Sequence, residues 1–207
     1  IAFLPSREDE RQPVPNRYFG AYQDGSLKLR GIEARRHDTP LFVARVQGQL
    51  LSLLSRGEDL DGLRALLPES LALLRRAFDE LRRQAVPLEE LLVAQRLSRE
   101  LQEYRDPSPA ALAAGQLEAL GKRLRPGEEV RFVYVRGEPP VWAWDLPGPL
   151  PSSAVDWEHY ARLLLRAGGT VLQPFGLDET ALPEALRRTQ TLRLPAVPTR
   201  LVLGAAL

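Results

Sequence analysis

Apolar-rich runs lie on both sides of an Asp24-Gly25 dipeptide, between residues 17 and 34. An Asp-Gly pair flanked by apolar-rich runs is a strong signal for two antiparallel strands joined by a tight turn. The pattern therefore predicts a β-hairpin over 17–34. A short strand is also predicted at 2–4, followed by an exposed loop.

The apolar spacing changes to a helical period after Pro40, a residue that suits the first turn of a helix. Two helices are predicted, the first ending near Arg56-Gly57 and the second beginning at Pro68-Glu69. Their apolar stripes are Val43, Val46, Leu50 and Leu54, then Leu71, Leu74, Phe78 and Leu81. Four arginines lie largely off the second stripe and are predicted to form a solvated face: Arg75, Arg76, Arg82 and Arg83.

The second half of the chain mixes helical and strand patterns. A helix is predicted between 107 and 121, and the β-branched and aromatic residues at 130–135 predict a strand. The proline-rich stretch 139–151 is predicted to be an irregular loop. A last helix is predicted from Trp157 and is expected to stop at Gly168-Gly169. These elements together predict an α+β fold, with a β-hairpin followed by a mainly helical part that contains a short strand.

The composition is that of a globular protein, with 44% apolar and 27% charged residues among 207. No apolar run approaches 18 residues and no signal-peptide pattern is present, so we expect no membrane segment and a cytoplasmic location. The absence of cysteine excludes disulfides and thiolate metal sites. The net charge of +1 is low for a dedicated duplex binder, so nucleic-acid binding would depend on local clusters of charge.

The first candidate cluster is Arg17-Tyr18, where the chain enters the hairpin. An arginine can contact phosphate or the acceptors of the minor groove, and a tyrosine hydroxyl can donate to phosphate. The alternative is a surface arginine beside a half-buried tyrosine.

Three charged residues, Glu33, Arg36 and Asp38, follow the hairpin. Their alternation predicts that Arg36 and Asp38 share one face of a short extended or turning segment, with Glu33 apart from them. The residues leave two roles open, a structural ion pair or contact of Arg36 with DNA.

The third candidate cluster lies at 95–105. Arg96 and Arg99 are three residues apart and are predicted to be neighbours on a helix, while Ser98 and Tyr104 can donate to phosphate. The alternative is an amphipathic connector whose apolar residues simply pack.

These segments resemble motifs of the family B DNA polymerases, in the same order along the chain. The family's Arg-Tyr segment, hairpin and Gly-x-Glu-x-x-Arg-x-Asp segment are matched by Arg17-Tyr18, Gly31-Ile32-Glu33, Arg36, Asp38 and Pro40. The thumb motif, the thumb strand and the closing helix are matched by 92–105, 125–135, 156–160 and 172–175.

The resemblance covers about residues 14–177. It implies the end of a palm domain at 1–40, a thumb domain at 41–177 and an extension of unknown role at 178–207. It implies that primer–template duplex is bound by Asn16, Arg17, Tyr18, Arg36, Gln95, Arg96, Ser98, Arg99 and Tyr104. It also implies a role in DNA replication or repair, in association with the nucleoid.

The metal-binding palm motifs of the family, of the Asp-x-x-Ser-Leu-Tyr and Asp-Thr-Asp types, do not occur in the chain. Nucleotidyl transfer, with the Mg²⁺ that the resemblance implies, would therefore belong to residues outside this chain. The chain alone is expected to be inactive. Its expected partners are duplex DNA and the remainder of the polymerase, or a catalytic partner chain.

The sequence departs from the family pattern at three positions. Asn16 and Gln95 stand where the family usually has lysine, and Pro109-Ala110 stands for a Pro-His pair. These departures support an alternative function, that of a diverged, non-catalytic polymerase-like subunit that acts through protein–protein contacts.

Overall fold

The computed structural model of the chain describes residues 2–5, 13–22, 24, 26–188 and 202–203, and these have the α+β fold predicted from the sequence. The described strands are β1 (Ala2–Pro5), β2 (Pro13–Ala21), β3 (Leu27–Arg30), β4 (Val93–Arg96), β5 (Glu129–Tyr134), β6 (Val141–Ala143) and β7 (Val202–Leu203). The described helices are α1 (Leu41–Leu54), α2 (Leu60–Ala65), α3 (Leu67–Arg82), α4 (Pro109–Glu118), α5 (Trp157–Leu172) and α6 (Leu182–Arg187). The predicted loop after β1, Gly25 of the predicted turn and most of 189–207 lie outside the described residues.

The chain divides into two compact units, each assembled from separated stretches. The first unit comprises Ile1–Arg36, Val43–Glu80 and Ala161–Leu207. The second comprises His37–Phe42 and Leu81–Tyr160.

An antiparallel sheet in the order β3-β2-β1-β7 belongs to the first unit. Strands β2 and β3 form the predicted hairpin, with Tyr18 opposite Arg30 and Phe19 opposite Leu29. Phe19 is buried, so one side of the hairpin contributes to the core.

The two predicted apolar stripes are confirmed as the buried sides of α1 and α3. All four members of the first stripe are at most 2% exposed, and Leu71, Leu74 and Leu81 of the second are at most 1% exposed. Phe78, the fourth member of the second stripe, is only half-buried. Helix α2, which the apolar pattern does not reveal, begins at an N-cap where the Asp59 carboxylate accepts from the Gly62 amide at 2.7 Å.

Helix α5 does not stop at Gly168-Gly169, so that prediction is wrong. The helix continues to Leu172. At Gly169 the backbone of residues 178–179 lies so close to the helix that a side chain would not fit. A Cβ on Gly169 would lie 2.6 Å from the backbone nitrogen of Glu179. The glycines therefore permit close packing of a helix rather than ending it.

One arginine of the predicted solvated face of α3 has a structural role instead. Arg75 donates from Nε to the carbonyl of Leu186 at 2.8 Å, and from Nη2 to the carbonyls of Ala185 and Arg188 at 3.1 and 2.5 Å. These carbonyls lie at the C-terminal end of α6, where backbone acceptors have no partner within the helix. Arg75 therefore acts as a side-chain cap for α6.

The second unit contains an antiparallel sheet in the order β4-β5-β6. Residues of α4 and of the sheet form one buried cluster: Val93, Leu97, Ala110, Ala113, Ala114, Leu117, Val130, Phe132, Val141 and Ala143. The small side chains of α4 let the helix lie close to the strands.

Strand β6 lies within the stretch that was predicted to be an irregular loop, and that prediction is wrong for Val141–Ala143. One edge of β6 pairs with β5. At its other edge, the Gln116 carboxamide donates to the Val141 carbonyl at 2.7 Å and accepts from the Ala143 amide at 2.8 Å. A side chain of α4 thereby completes the hydrogen bonding that allows so short a strand to form.

Candidate functional site

The predicted site residues of the first unit lie on β2 and just beyond the hairpin. Asn16 and Arg36 are exposed, while Arg17 and Tyr18 are half-buried. Gly31, with φ of +68°, packs so closely on β2 that a Cβ there would overlap the carbonyl oxygen of Asn16. The start of β2 and the segment after β3 are therefore held together.

Arg17 lines an open cleft of about 190 Å³ in the first unit, together with Arg166. Asp178 and Glu179 line the same cleft, and Glu179 Oε2 lies 3.7 Å from Arg166 Nε. Burial opposes ionisation of Asp178, but hydrogen bonds from the residues that follow it prevail and lower its pKa. The cleft thus presents guanidinium and carboxylate groups side by side.

Glu33 is held by a network of hydrogen bonds that sequence reasoning did not anticipate. Its Oε2 accepts from Gln47 Nε2 at 2.8 Å, and its Oε1 accepts from the Thr170 hydroxyl at 3.0 Å. Gln47 also donates to the Ala167 carbonyl at 2.8 Å and accepts from the Ala34 amide at 2.6 Å. Two helices, α1 and α5, therefore hold the two oxygens of one carboxylate.

The segment around Glu33 forms a 3-10 turn, Glu33–Arg35, and the Arg36 amide closes it by donating to the Glu33 carbonyl at 2.9 Å. Asp38 belongs to the second unit, where its charge adds to burial in raising the pKa of Tyr134. The ion pair among Glu33, Arg36 and Asp38 stays a prediction.

The predicted site residues of the second unit do not lie on a helix, so the expectation for Arg96 and Arg99 is wrong. Gln95 and Arg96 lie on β4, and Arg99 lies in the loop after it. Leu97 explains the difference, because its amide donates to the Glu128 carbonyl at 3.0 Å and its carbonyl accepts from the Gly127 amide at 2.8 Å. These bonds extend the pairing of β4 with β5 and exclude a helix at this point.

Ser98, Arg99 and Tyr104 form a contiguous polar group beyond β4. The hydroxyls of Ser98 and Tyr104 lie 3.0 Å apart, and the Ser98 amide donates to the Tyr104 hydroxyl at 3.1 Å. The hydrogen bond with the Ser98 side chain lowers the pKa of Tyr104, and the nearby Arg99 charge adds to the effect. The Arg99 guanidinium lies 5.3 Å from the centre of the Tyr104 ring, a cation–π arrangement that keeps the arginine beside this tyrosine.

Three other basic residues of the second unit are paired with acids. Asp145 pairs with Lys122 at 2.8 Å and with Arg131 at 3.0 Å, and Arg123 pairs with Glu100 at 3.2 Å. By contrast, no carboxylate of the described residues lies within ion-pair distance of Arg96 or Arg99. Glu129 lies opposite Arg96 in the pairing of β4 with β5, so negative charge is also present near the end of β4.

The segment that resembles the closing-helix motif has a structural role in the second unit. Asp156 caps α5 by accepting from the His159 amide at 2.9 Å, and its own amide donates to the Tyr134 carbonyl at 3.0 Å. His159 stacks on Tyr134 with ring centres 3.8 Å apart, and the Tyr160 hydroxyl accepts from the Tyr134 amide at 2.9 Å. These contacts fix the start of α5 on β5.

The described residues contain no group of three or more His, Cys, Asp or Glu side chains that could hold a metal ion. They therefore do not fit the Mg²⁺ that the resemblance implies, and no step of a metal-dependent reaction is assigned to them. Within the same residues, no helix is both long and apolar enough to cross a membrane.

Comparison with known proteins gives consistent matches. The family described as DNA polymerase family B matches residues 16–163. The chain is 26% identical over 167 residues to DNA polymerase 1 of Saccharolobus solfataricus, an alignment that covers 79% of this chain and 19% of that protein. It is 26% identical over 178 residues to DNA polymerase 2 of Aeropyrum pernix, an alignment that covers 85% of this chain and 21% of that protein.

A solved structure, that of the family B DNA polymerase from Pyrobaculum calidifontis, has a similar fold. The TM-score is 0.62 at 22% identity, over 78% of this chain and 20% of that one. The chain thus spans about a fifth of the length of the polymerases that it matches.

Proposed function

This chain belongs to DNA polymerase family B, and from that premise we propose that it is the part of such an enzyme that holds primer–template duplex behind the active site. In this proposal residues 1–40 end the palm, 41–177 form the thumb and 178–207 are an extension. Nucleotidyl transfer with Mg²⁺ would be performed by carboxylates outside the chain. The partners would be duplex DNA and the remainder of the polymerase or a catalytic partner chain, in the cytoplasm and near the nucleoid.

The group at the end of β4 is the observation that carries the proposal. Arg96, Ser98, Arg99 and Tyr104 lie within nine residues of one another, and they combine cationic charge with hydroxyl donors. A polymerase must accept every sequence, so it requires contacts to phosphates and to acceptors that all base pairs share. Arg99, placed against the Tyr104 ring, would donate to phosphate from the edge of its guanidinium group.

Asn16, Arg17, Tyr18 and Arg36 are the proposed DNA-binding residues of the first unit. Asn16 and Arg36 are exposed, and Arg17 lines a cleft that is open to solvent. Gln95 completes the proposed set, although it is only half-exposed.

The proposal is tested by titrating labelled duplexes of several sequences with the chain at two salt concentrations. Affinity should fall steeply with salt and depend little on sequence. Primer extension with Mg²⁺ and with Mn²⁺ should give no product. Template-dependent extension by the chain alone would contradict the assignment of chemistry to other residues, and salt-independent binding would contradict phosphate contacts.

A second candidate function is that of a non-catalytic subunit that binds a protein partner. Two observations favour it, the net charge of only +1 and the pairing of Lys122, Arg123 and Arg131 with acids. Of the three departures from the family pattern, Asn16 and Gln95 remain relevant to this choice. Ala110 does not, because it is 3% exposed and belongs to the core.

A further inference from the structure

Three polar side chains are buried among the described residues, and two of them, Gln47 and Thr170, bind the same carboxylate. Gln47 is 1% exposed and Thr170 is 7% exposed. A buried polar group destabilises a fold unless its hydrogen bonds are made. We infer that Gln47 and Thr170 are positioning residues, which hold the turn at Glu33 so that Arg36 and Arg17 keep the orientation needed to bind duplex DNA.

The geometry at Glu33 supports the inference at each oxygen. Gln47 of α1 donates to Oε2, and Thr170 of α5 donates to Oε1. Gln47 further binds the backbone on both sides, through the Ala34 amide and the Ala167 carbonyl. The turn Glu33–Arg35 is therefore attached to α1 and to α5 by directional bonds that fix its rotation as well as its place.

Two further contacts link this turn to the cationic residues. The Arg36 amide donates to the Glu33 carbonyl, so the start of Arg36 follows any movement of Glu33. At the other end, Gly31 packs on the backbone of Asn16 and beside the side chain of Arg17. Loss of the bonds at Glu33 would therefore shift the backbone from which both arginines extend, without removing either side chain.

The inference rests on the proposed function, and four variants of the chain test it. Thr170→Val removes the hydroxyl and keeps the shape, whereas Thr170→Ser keeps the hydroxyl. Arg36→Ala removes the cation. Ser70→Ala is the matched control, since Ser70 is a second buried hydroxyl of the first unit and bonds only to the Leu66 carbonyl of its own helix region.

Thr170→Val should weaken binding to a labelled duplex about tenfold, the equivalent of one hydrogen bond. Thr170→Ser should bind like the unaltered chain, and Ser70→Ala should leave binding unchanged. In the Arg36→Ala background, Thr170→Val should have a smaller effect, because a positioning residue acts through the groups that it positions and only Arg17 remains. Amide hydrogen exchange at Ala34 and Arg36 should be faster in Thr170→Val alone.

Equal effects of Thr170→Val with and without Arg36 would overturn the inference, because additivity indicates a role in general stability. Unchanged amide exchange at Ala34, or failure of Thr170→Ser to restore binding, would also overturn it. Duplex binding that depends on Arg96 and Arg99 but not on Thr170 would overturn the positioning role and leave the proposed function intact. Absence of duplex binding by the unaltered chain would overturn the proposed function, and the positioning role with it.

Discussion

The hydroxyl of Tyr160 accepts a hydrogen bond from the backbone amide of Tyr134 at 2.9 Å and thereby fastens α5 to β5. Tyr160 is fully buried. Burial raises the pKa of its phenol far above the usual value, although the bond from Tyr134 acts in the opposite direction. The neutral hydroxyl is therefore the form that the fold requires.

We expect Tyr160→Phe to lower the free energy of unfolding by about 1–2 kcal/mol at pH 7, because the Tyr134 amide loses its acceptor. A phenol whose pKa is raised on folding stabilises the fold fully below its unfolded pKa of about 10, and less as the pH rises above it. The difference between the two chains should therefore narrow by about 1.4 kcal/mol per pH unit above pH 10. Urea unfolding at pH 7, 9 and 11 measures this, and a constant difference would contradict a role for the buried phenol.

Arg96→Ala and Arg99→Ala should each lower the slope of log affinity against log salt by about one, because each removes one phosphate contact. Arg123→Ala is the matched control, since Arg123 is already paired with Glu100. Its slope should equal that of the unaltered chain. Equal changes in all three variants would indicate a general effect of charge rather than contacts at the end of β4.

Asn16→Lys should tighten duplex binding by about 1 kcal/mol at low salt, since Asn16 is exposed and a lysine there adds a cation. Gln95→Lys should give a smaller gain in duplex affinity, although the family usually has lysine at both positions. Gln95 lies opposite the buried Val130, so it shares the core side of the sheet and a lysine would be partly buried. Fluorescence titrations of a labelled duplex at two salt concentrations compare the affinities of the two variants. If Asn16→Lys does not increase the affinity, the alternative function as a protein-binding subunit is favoured.

Arg75→Met should lower the free energy of unfolding by about 1–3 kcal/mol, because three carbonyls at the end of α6 lose a charged donor. The methionine keeps the apolar stem of the side chain. Arg76→Met, at the exposed neighbouring position, is the control and should change stability by less than about 0.5 kcal/mol. Similar values for the two variants in urea unfolding would exclude the capping role.

Gly169→Ala should destabilise the chain by about 2 kcal/mol or more, because the new Cβ would lie 2.6 Å from the Glu179 nitrogen. Gly115→Ala in α4 should instead stabilise it by about 0.5–1 kcal/mol, since nothing lies within 4 Å of that Cβ and alanine favours helix. Thermal unfolding of both variants checks the opposite signs. A stable Gly169→Ala would mean that the segment after α5 can move away.

The elements that the sequence predicted well are those set by local pattern. The hairpin at 17–34 follows from an Asp-Gly turn between apolar runs, and α1 follows from residues at helical spacing such as Val43 and Leu50. Gln47 lies four residues after Val43 and three before Leu50, so its place on the buried side was present in the same pattern. The pattern does not indicate that Glu33 is the partner of Gln47, because helical spacing gives no information on contacts beyond the helix.

The wrong predictions share a cause in contacts distant along the chain. Gly168-Gly169 has the pattern of a helix end, but the close approach of Glu179 is the reason for the glycines. Arg96 and Arg99 have helical spacing, but the bonds of Leu97 to 127–128 make the segment extended. The candidate site was predicted as residue types at certain positions. The hydrogen bond from Thr170 to Glu33 could not be predicted, because the two residues are 137 positions apart in the chain.

The carboxamide of Gln116 occupies the outer edge of β6, where an unpaired strand would otherwise offer its backbone to a strand from another molecule. This edge of the sheet is thus covered by one uncharged side chain. Because α4 precedes β6 in the chain, this protection is already synthesised when the vulnerable edge emerges from the ribosome.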